Sequence, residues 1–427
     1  MKKTIEPASR LRGSIIIPPD KSVAHRAAML ASISEAESSI SNYPTAADPQ
    51  STLACMEQLG VPVKKSDDEV VIQGVGRNGL KAPDKPLDCG NSGTTMRLLT
   101  GLLAGAGIPA TLQGDESLSR RTMKRIIEPL RKMGLTISAK DDAFPPLRID
   151  KSMPVRPIRF ELPVASAQVK SCVLLAGLFG DGPTEVVERI PSRNHTEKML
   201  GLDVIQRGDK RLIFSSNANV IPQQSMRIPG DFSSAAFWLV AGAIHSDADL
   251  KLIGVGINSS RTALLDILLR MGAQIEISNE RQEGKEPVAD FRVRTSNLQA
   301  TEIQAFEVPN AIDELPIIAV AMALAKGKSS IRNASELRHK ETDRISAISD
   351  ILNAAGVTFQ EFEDGLEITG NSGGKFKSFT GSSRHDHRVA MAAAVMGLCS
   401  TGPCSIDQAD AAAVSYPDFW TDMESIS

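Results

Sequence analysis

Hydrophobic and polar positions recur along this chain in one order. A helix rich in small residues is followed by a second helix that ends in glycine, and then by an apolar strand. The first helices recur in step, for example at residues 26–31, 97–103 and 388–394. The second helices are predicted to end at glycines about 70 residues apart, which are Gly60, Gly134, Gly201, Gly272 and Gly356. This period is too long for a solenoid unit and predicts repeated βαβαββ modules.

The sixth copy is predicted to finish at the C-terminus, in a short amphipathic stretch at residues 418–426. Because 427 residues exceed the size at which one hydrophobic core stops growing, we expect two domains. The alternative interpretation is ordinary α/β alternation that happens to look regular.

Composition excludes several classes of function. Apolar residues make up 41% and charged residues 23% of the chain, which is typical of a globular protein. The net charge of −3 indicates that an anion would be bound by a local cluster. Aromatic residues, at 4%, are too scarce for base-stacking platforms, so no nucleic-acid partner is expected. The longest apolar runs, such as residues 235–244 and 315–325, are too short to span a bilayer, so no membrane partner is expected.

Cysteine usage and weak motifs narrow the chemistry further. The five cysteines are scattered and form no CxxC pair, which favours reduced, buried thiols and a cytoplasmic protein. The GxGxxG match at residues 74–79 is interpreted as a turn, because no helix pattern follows it. His385-Asp386-His387 is weak evidence for a metal, and Asn194-His195-Thr196 is a glycosylation sequon without a secretory context. We therefore expect no metal, and these motifs give no support for a dinucleotide site.

Three predicted helix starts in the first half carry donors and basic residues. Lys21 and Arg26 flank the first turn of one helix, and residues 88–97 combine glycines and hydroxyls with a terminal arginine. Residues 165–170 place a hydroxyl, an amide and the ammonium of Lys170 at the head of a third helix. A helix N-terminus favours bound anions, so the ligand is expected to be small and strongly anionic. The alternative is a set of capped helices with solvated charges.

Further charges lie in a basic run at residues 119–125 and in three segments of the second half. At least one arginine of the run is expected to face an anion. The later segments are residues 312–314, 338–344 and 386–388. Lys340 and Arg344 are four residues apart and are predicted to share one helix face. Carboxylates among cations can act as general acid and base, while the cations hold an anionic substrate. A solvated surface array of charges is the alternative.

Taken together, these segments resemble the 5-enolpyruvylshikimate-3-phosphate synthase family over nearly the whole chain. The matching motifs, in chain order, are Lys21-Ser22-x-x-x-Arg26, Gly90-Asn91-Ser92-Gly93-Thr94-x-x-Arg97, Ser166-Ala167-Gln168, Asp313-Glu314, Lys340-Glu341-Thr342-Asp343-Arg344 and Asp386-His387-Arg388. The resemblance implies the enolpyruvyl transferase fold, a two-domain inside-out α/β barrel with three βαβαββ repeats per domain. It places residues 1–17 and 230–427 in one domain with the catalytic residues, residues 18–229 in an inserted domain, and the active site in a cleft between them.

The resemblance also implies an activity in the shikimate pathway of aromatic amino acid biosynthesis. The family transfers the enolpyruvyl group of phosphoenolpyruvate to the 5-hydroxyl of shikimate 3-phosphate and needs no cofactor. The residues implied for shikimate 3-phosphate are Lys21, Ser22, Arg26, Ser166, Ala167, Gln168, Asp313 and Lys340. Those implied for phosphoenolpyruvate are Lys21, Gly93, Arg121, Gln168, Arg344 and Arg388, with Asn91, Thr94, Arg193 and His387 as further contacts. Asp313 is the expected base and Glu341 the expected proton donor, with Lys21 sharing transfers. We expect a monomer.

The chain departs from the family pattern in places. Val414 stands where some members have a lysine before the Tyr416-Pro417-Asp418 motif, and Arg193 is a predicted replacement for that contact. Glyphosate is an expected inhibitor, because tolerant members of the divergent bacterial branch carry alanine where this chain has Gly93. Two rivals stay open. One is the UDP-N-acetylglucosamine enolpyruvyl transferase family, which typically has Lys-Asn and a reactive loop cysteine. The other is a non-catalytic protein that binds anions or RNA ends.

Overall fold

The computed structural model describes residues 1–67, 69–151 and 154–427. The chain divides into two compact units. Unit 1 comprises Met1–Pro18, Pro229–Gln282 and Pro287–Ser427, and unit 2 comprises Pro19–Ile228 and Glu283–Glu286. These crossings lie one residue from the sequence-based boundaries at 17/18 and 229/230, whereas the assignment of residues 283–286 to unit 2 was not anticipated. The location of an active site between two domains stays a prediction.

The elements are numbered here in chain order along the described residues. The strands are β1 (Lys3–Ile5), β2 (Leu11–Ile16), β3 (Glu37–Ser41), β4 (Val63–Lys65), β5 (Glu69–Gln73), β6 (Leu87–Asp88), β7 (Ala110–Gln113), β8 (Ile137–Lys140), β9 (Phe144–Ile149), β10 (Arg159–Glu161), β11 (Thr184–Glu188), β12 (Val204–Arg207), β13 (Lys210–Ser215), β14 (Met226–Arg227), β15 (Ala248–Gly256), β16 (Gln274–Glu283), β17 (Glu286–Arg294), β18 (Lys326–Ile331), β19 (Thr358–Phe362), β20 (Gly365–Asn371), β21 (Thr380–Ser382) and β22 (Cys404–Asp407).

The α-helices are α1 (Lys21–Ile33), α2 (Ala47–Gln58), α3 (Gly93–Gly105), α4 (Glu116–Ser119), α5 (Lys124–Lys132), α6 (Ala167–Gly177), α7 (His195–Leu200), α8 (Phe232–Ile244), α9 (Ala263–Arg270), α10 (Val308–Ala311), α11 (Leu315–Leu324), α12 (Arg344–Ala354), α13 (His387–Leu398) and α14 (Phe419–Ile426). Two 3₁₀ helices lie at Ser335–His339 and Ala409–Val414.

The sheets of unit 2 follow one plan. Their strand orders are β14-β3-β5-β4, β6-β7-β9-β8 and β10-β11-β13-β12. In each sheet the first two strands are parallel and the remaining pairs are antiparallel, as in the pairs Arg159↔Glu185 and Val186↔Ile213. Parallel neighbours that follow each other in the chain need a crossover connection, which α3 provides between β6 and β7, and α6 between β10 and β11. This is the predicted βαβαββ module.

Unit 1 has sheets with the orders β16-β17-β15-β2, β18-β20-β19 and β1-β22-β21. Its first sheet takes β2, the strand that precedes α1 in the chain, as the parallel neighbour of β15, in the register Leu250↔Gly13. Unit 2 takes β14, which precedes α8, as the parallel neighbour of β3. The strands before the two crossings are therefore exchanged between modules. The N-terminal β1 pairs with β22 in the last sheet, whose module also has α14 at the predicted stretch 418–426.

Small residues let the first helices of the modules pack closely. An added Cβ at Gly101 of α3 would overlap the carbonyl oxygen of Cys172 in α6, and one at Gly105 would lie 2.8 Å from Cα of Ala176. Glycine thus allows the two backbones to approach each other directly. All residues of α8 are buried in the separate core of unit 1. The first helices form the inner layer of each unit.

The predicted ends of the second helices are confirmed. The glycine that follows each of these helices has a left-handed backbone, which L-residues with a side chain rarely adopt. The φ values are 84° at Gly60, 82° at Gly134, 65° at Gly201, 93° at Gly272 and 77° at Gly356.

Candidate active site

The first helix of unit 2 begins with a side-chain cap. The side chain of Asp20 caps α1 by accepting the backbone N–H of Val23 at 2.9 Å. Lys21 is therefore the first residue of α1, and its Nζ donates to Oδ2 of Asp48 in α2 at 3.2 Å. The lysine side chain is only partly exposed, at 18%. The cap fixes where this cation lies relative to the helix N-terminus.

Arg26 lies one turn further along α1 and is buried. Its Nη1 donates to the carbonyl oxygen of Ser22 at 2.9 Å, and Nε donates to Oγ1 of Thr196 at 2.7 Å. Its Nη2 donates to Oγ of Ser171 at 2.8 Å. Arg26 is thus a fixed positive charge behind the first turn of α1.

Gly93 is the first residue of α3, where two arginines converge. Ser92 caps this helix by accepting the backbone N–H of Thr95 at 3.1 Å. A Cβ added at Gly93 would lie 2.7 Å from Nη1 of Arg97 and 3.6 Å from Nη1 of Arg121. The absence of a side chain at Gly93 therefore leaves the space that both guanidinium groups border. Such a cluster can hold a phosphate or a carboxylate.

Gln168 in the first turn of α6 links this helix to α3. Its amide nitrogen donates to Oγ1 of Thr94 at 2.9 Å, and its Oε1 accepts from Nη1 of Arg97 at 2.6 Å. Ser166 caps α6, and Ala167 is its first residue. The motif residues of the two helices are thus in direct contact. Arg97 belongs to the motif at residues 90–97, but the resemblance implies no role for it.

Two further sequence predictions concern the loops that flank these helices. Arg121, in the predicted basic run, donates to Oδ1 of Asn91 at 2.7 Å, which brings the run to the start of α3. Arg120 instead pairs with Glu116 and is exposed. Arg193 lies half-buried between β11 and α7. One arginine of the run thus reaches the glycine-rich segment.

The prediction for Lys170 is wrong. Lys170 is the fourth residue of α6, but its ammonium is completely buried and is not available to an anion at the helix head. Its Nζ is 3.0 Å from Oε2 of Glu188 and 2.7 Å from Oε1 of Glu197. A buried ammonium needs such partners to offset the loss of hydration. Lys170 is an internal ion-pair residue.

A buried hydrogen-bond chain, which sequence reasoning missed, ties together α1, α2 and α3. Nδ1 of His25 is 2.7 Å from Oγ1 of Thr52, and that hydroxyl is 2.7 Å from Oγ1 of Thr95. Burial lowers the pKa of His25 to about 3, and the nearby Lys21 and Arg26 act in the same direction. His25 is therefore a neutral hydrogen-bonding group near neutral pH, as its burial and the flanking cations both favour.

In unit 1, one carboxylate lies among three cations. Oδ1 of Asp313 is 3.3 Å from Nη1 of Arg344 and 3.6 Å from Nζ of Lys340. Oδ2 of Asp313 is 3.9 Å from Nη2 of Arg388, whose Nη1 donates to the Asp313 carbonyl oxygen at 3.0 Å. The Asp313 side chain remains 16% exposed, so a ligand can reach it. Carboxylate and cations are thus available to one bound molecule.

Arg344 is the buried centre of this cluster. Its Nε donates to Oδ2 of Asp386 at 2.8 Å, and its Nη2 donates to Oε2 of Glu341 at 2.6 Å. Burial acts to lower the pKa of Arg344, but attraction to Asp386, Glu341 and Asp313 outweighs it and raises the pKa above the ordinary value. The guanidinium is therefore permanently charged. The Glu341 side chain is 25% exposed and accessible.

The predicted shared helix face of Lys340 and Arg344 is wrong. The 3₁₀ helix Ser335–His339 ends before Lys340, and Asp343 caps α12 by accepting the backbone N–H of Ser346 at 3.1 Å. The helix therefore begins at Arg344, because an N-cap residue has a non-helical backbone. Lys340 nevertheless reaches Asp313 from the loop before α12.

The start of α13 completes the cluster. Asp386 caps this helix by accepting the backbone N–H groups of Arg388 at 2.8 Å and Val389 at 3.3 Å. His387 is the first residue of α13 and is buried. Nη1 of Arg388 is 3.5 Å from Oε1 of Glu314. Asp386, which accepts from Arg344, thus lies in the same turn as Arg388.

In residues 1–67, 69–151 and 154–427, no set of three or more histidine, cysteine or acidic side chains is arranged to bind a metal ion. Over the same part of the chain, no helix combines the length and hydrophobicity that crossing a membrane requires.

The sequence of this chain is similar to those of known proteins along nearly its whole length. Residues 5–423 match the family model described as EPSP synthase (3-phosphoshikimate 1-carboxyvinyltransferase). The sequence is 49% identical over 429 residues to the 3-phosphoshikimate 1-carboxyvinyltransferase of Salinibacter ruber, with 100% of both chains covered. It is 46% identical over 424 residues to that of Herpetosiphon aurantiacus, with 98% of each covered.

Solved structures extend the likeness to three dimensions. EPSP synthase from Acinetobacter baumannii matches with a TM-score of 0.88 and 38% identity, over 100% of this chain and 98% of that one. The enolpyruvyl transferase NikO from Streptomyces tendae matches with a TM-score of 0.78, over 99% and 96% of the two chains, but its 16% identity shows the fold alone. The predicted enolpyruvyl transferase fold is confirmed. Because the family model and the relatives span the motifs of both units, the chain belongs to the EPSP synthase family.

Proposed function

We propose that this protein transfers the enolpyruvyl group of phosphoenolpyruvate to the 5-hydroxyl of shikimate 3-phosphate and releases phosphate. The observation that carries the proposal is the position of Asp313 among Lys340, Arg344 and Arg388. The reaction needs a base for the hydroxyl and cations for an anionic donor. This cluster offers both within one unit.

Unit 2 supplies the second set of anion-binding groups. Lys21, Ser22 and Arg26 of α1, with Ser166, Ala167 and Gln168 of α6, are proposed to bind shikimate 3-phosphate together with Asp313 and Lys340. Lys21, Gly93, Arg121, Gln168, Arg344 and Arg388 are proposed to bind phosphoenolpyruvate, with Asn91, Thr94, Arg193 and His387 as further contacts. Both substrates carry several negative charges, which suits helix N-termini and arginine forks.

The chemistry needs two proton movements in the first half of the reaction. Glu341, in its protonated form, donates a proton to the methylene carbon of phosphoenolpyruvate, which turns it into a methyl group and leaves a cationic centre on the adjacent carbon. Asp313 accepts the proton of the 5-hydroxyl as its oxygen forms a bond to that centre. The product of this step is a tetrahedral adduct that still carries the phosphate group.

The second half reverses the first proton transfer. A proton leaves the methyl group and returns to the Glu341 carboxylate, the carbon–carbon double bond forms again, and the bond to the phosphate oxygen breaks. Arg344 and Arg388 stabilise the negative charge that develops on the leaving phosphate. Because Arg344 is held by Asp386 and Glu341, it needs little reorganisation during the reaction.

Several further properties belong to this proposal. The reaction serves aromatic amino acid biosynthesis, and the protein acts as a monomer in the cytoplasm without a cofactor. The five cysteines are all free and buried, which suits a reducing compartment. Glyphosate is proposed as an inhibitor because Gly93 leaves open the space beside Arg97 and Arg121. Arg193 is proposed to replace the lysine contact that Val414 lacks.

The proposal is tested by phosphate release from phosphoenolpyruvate with either shikimate 3-phosphate or UDP-N-acetylglucosamine as acceptor. We expect release with shikimate 3-phosphate only. Asp313→Asn should reduce kcat at least 100-fold, the scale expected for a lost general base, while shikimate 3-phosphate still binds. Asp249→Asn, on a β-sheet of the same unit, is the matched control and should keep wild-type activity.

The competing functions predict other outcomes. Release with UDP-N-acetylglucosamine would assign the protein to the other enolpyruvyl transferase reaction. Binding of both anions without phosphate release, in wild type and Asp313→Asn alike, would leave a binding protein as the better account. The proposed turnover would then be wrong.

A further inference from the structure

Three consecutive polar side chains at the start of α7 are buried. His195, Thr196 and Glu197 are exposed by only 2%, 1% and 4%. Buried polar groups reduce stability unless they have hydrogen-bond or charge partners. Replacement of buried charged pairs by well-packed apolar residues often leaves a protein equally stable or more stable. The contacts of these three side chains therefore indicate a role beyond folding.

Glu197 connects α7 to a buried ion cluster. Its partner Lys170 also pairs with Glu188 and donates to the carbonyl oxygen of Ser192 at 3.1 Å. Oε2 of Glu188 accepts the backbone N–H of Ser192 at 3.1 Å and its hydroxyl at 3.0 Å. The backbone and side chain of Ser192 are thus both held, which fixes the segment 192–197 on α6.

His195 fixes the same turn from another side. Its Nδ1 is 2.8 Å from Oε1 of Glu286, the first residue of β17. Glu286 belongs to the segment 283–286 that groups with unit 2. Glu286 is itself only 1% exposed. Thr196, between His195 and Glu197 in the chain, is therefore held by contacts on both neighbours.

Thr196 and Ser171 form a triangle with the guanidinium group of Arg26. Nε of Arg26 donates to Thr196 Oγ1 at 2.7 Å, and Nη2 donates to Ser171 Oγ at 2.8 Å. The two hydroxyl oxygens are 2.7 Å apart and hydrogen-bond to each other. Two acceptors on different nitrogens fix the plane of a guanidinium group.

We infer that Thr196 and Ser171 are positioning residues that orient Arg26 for shikimate 3-phosphate, an inference that rests on the proposed function. The ion cluster of Lys170, Glu188 and Glu197 holds Thr196 in the place that this orientation requires. A group oriented before binding loses less conformational entropy when the substrate arrives. The contribution of Thr196 is therefore expected in substrate binding, with little effect on the chemical step.

The test compares Thr196→Val with Thr196→Ser in the enzyme. Valine keeps the shape of threonine but removes the acceptor for Arg26 Nε. We expect the KM for shikimate 3-phosphate to rise about tenfold, equivalent to about 1.4 kcal/mol, with kcat and the KM for phosphoenolpyruvate within about twofold of wild type. Serine keeps the hydroxyl and should restore the KM for shikimate 3-phosphate. Ser171→Ala should reproduce the selective rise if Thr196→Val is too unstable to measure.

Thr100→Val is the matched control, because the Thr100 hydroxyl is also buried but donates within its own helix α3, to the carbonyl oxygen of Met96. It should leave both KM values unchanged. Equal effects on both substrates, or a serine variant as impaired as the valine variant, would contradict the positioning role. So would an unchanged KM in folded Thr196→Val. Absence of turnover in the wild type would instead contradict the proposed function.

Discussion

The guanidinium group of Arg344 lies 3.3 Å from the carboxylate of Asp313 while also donating to Glu341 and Asp386. One buried cation thereby holds the proposed base, the proposed proton donor and the cap of α13 in a fixed arrangement. Removal of its positive charge would leave three carboxylates close together. Replacement by another cation tests geometry separately from charge.

We predict that Arg344→Lys folds but loses most of its activity. A lysine ammonium is one donor point and cannot span the three carboxylates that the planar guanidinium reaches. kcat/KM for phosphoenolpyruvate should fall at least about 100-fold, in line with the loss of a donor that stabilises developing charge. Steady-state kinetics with saturating shikimate 3-phosphate measures this change.

Arg332→Lys is the control for the same exchange on the surface of unit 1, where Arg332 pairs with Asp364. It should keep wild-type kinetics. A kcat/KM of Arg344→Lys within tenfold of wild type would show that charge alone is sufficient at this position.

The repeat and the glycine ends could be predicted because they depend on local backbone preferences. Gly60 and its counterparts end helices through left-handed φ values, and such ends leave a direct mark in the sequence. The pairing of β2 with β15 has no local sequence signal, because the two strands lie in chain segments separated by unit 2. Periodicity predicts that a strand exists without identifying its partner.

In the candidate site, too, the features with a local sequence signal could be predicted and those that depend on distant residues could not. The ordered motifs identified Asp313, Lys340 and Arg388 as candidate site residues, and the structure places them together. The helix assumed for Lys340 was wrong because spacing of charges cannot distinguish a helix from a loop followed by an Asp343 cap. The burial of Lys170 depends on its distant partner Glu188, which no local pattern reveals.

We predict that His25 makes stability pH-dependent in mildly acidic solution. Its pKa is about 3 in the folded protein and about 6.5 in an unfolded chain. Above pH 6.5 the imidazole is neutral in both states. As pH falls from 6.5 towards 3, only the unfolded chain gains the proton, so the free energy of unfolding decreases by up to about 1.4 kcal/mol per pH unit.

Urea unfolding at pH 7, 6 and 5 measures this slope. His25→Gln should have a shallower slope than wild type, whatever its absolute stability, because glutamine does not titrate. His339→Gln, which removes an exposed imidazole, is the control. Parallel slopes for wild type and His25→Gln would contradict the proposed burial of a neutral imidazole.

We predict that Gly101→Ala destabilises unit 2. The added methyl group would overlap the carbonyl oxygen of Cys172, and that backbone atom cannot move without shifting α6 away from α3. Overpacking of this kind reduces the free energy of unfolding by about 1–3 kcal/mol. Thermal and urea unfolding should both show the loss. Gly180→Ala, whose Cβ would meet nothing closer than 3.4 Å, should change stability little.

We predict that Gly93→Ala lowers the affinity for phosphoenolpyruvate and lowers the sensitivity to glyphosate. The methyl group would lie 2.7 Å from Nη1 of Arg97, so the arginine must move and its bond to Gln168 must lengthen or break. The KM for phosphoenolpyruvate should rise about tenfold, the scale of one lost charge-assisted hydrogen bond. The glyphosate inhibition constant should rise by a larger factor, because the methyl group also occupies space that the inhibitor needs.

Gly180→Ala is the control for a glycine-to-alanine exchange, and the Tm of Gly93→Ala separates a local effect from unfolding. Equal inhibition constants for wild type and Gly93→Ala would show that glyphosate does not use the space beside Arg97 and Arg121.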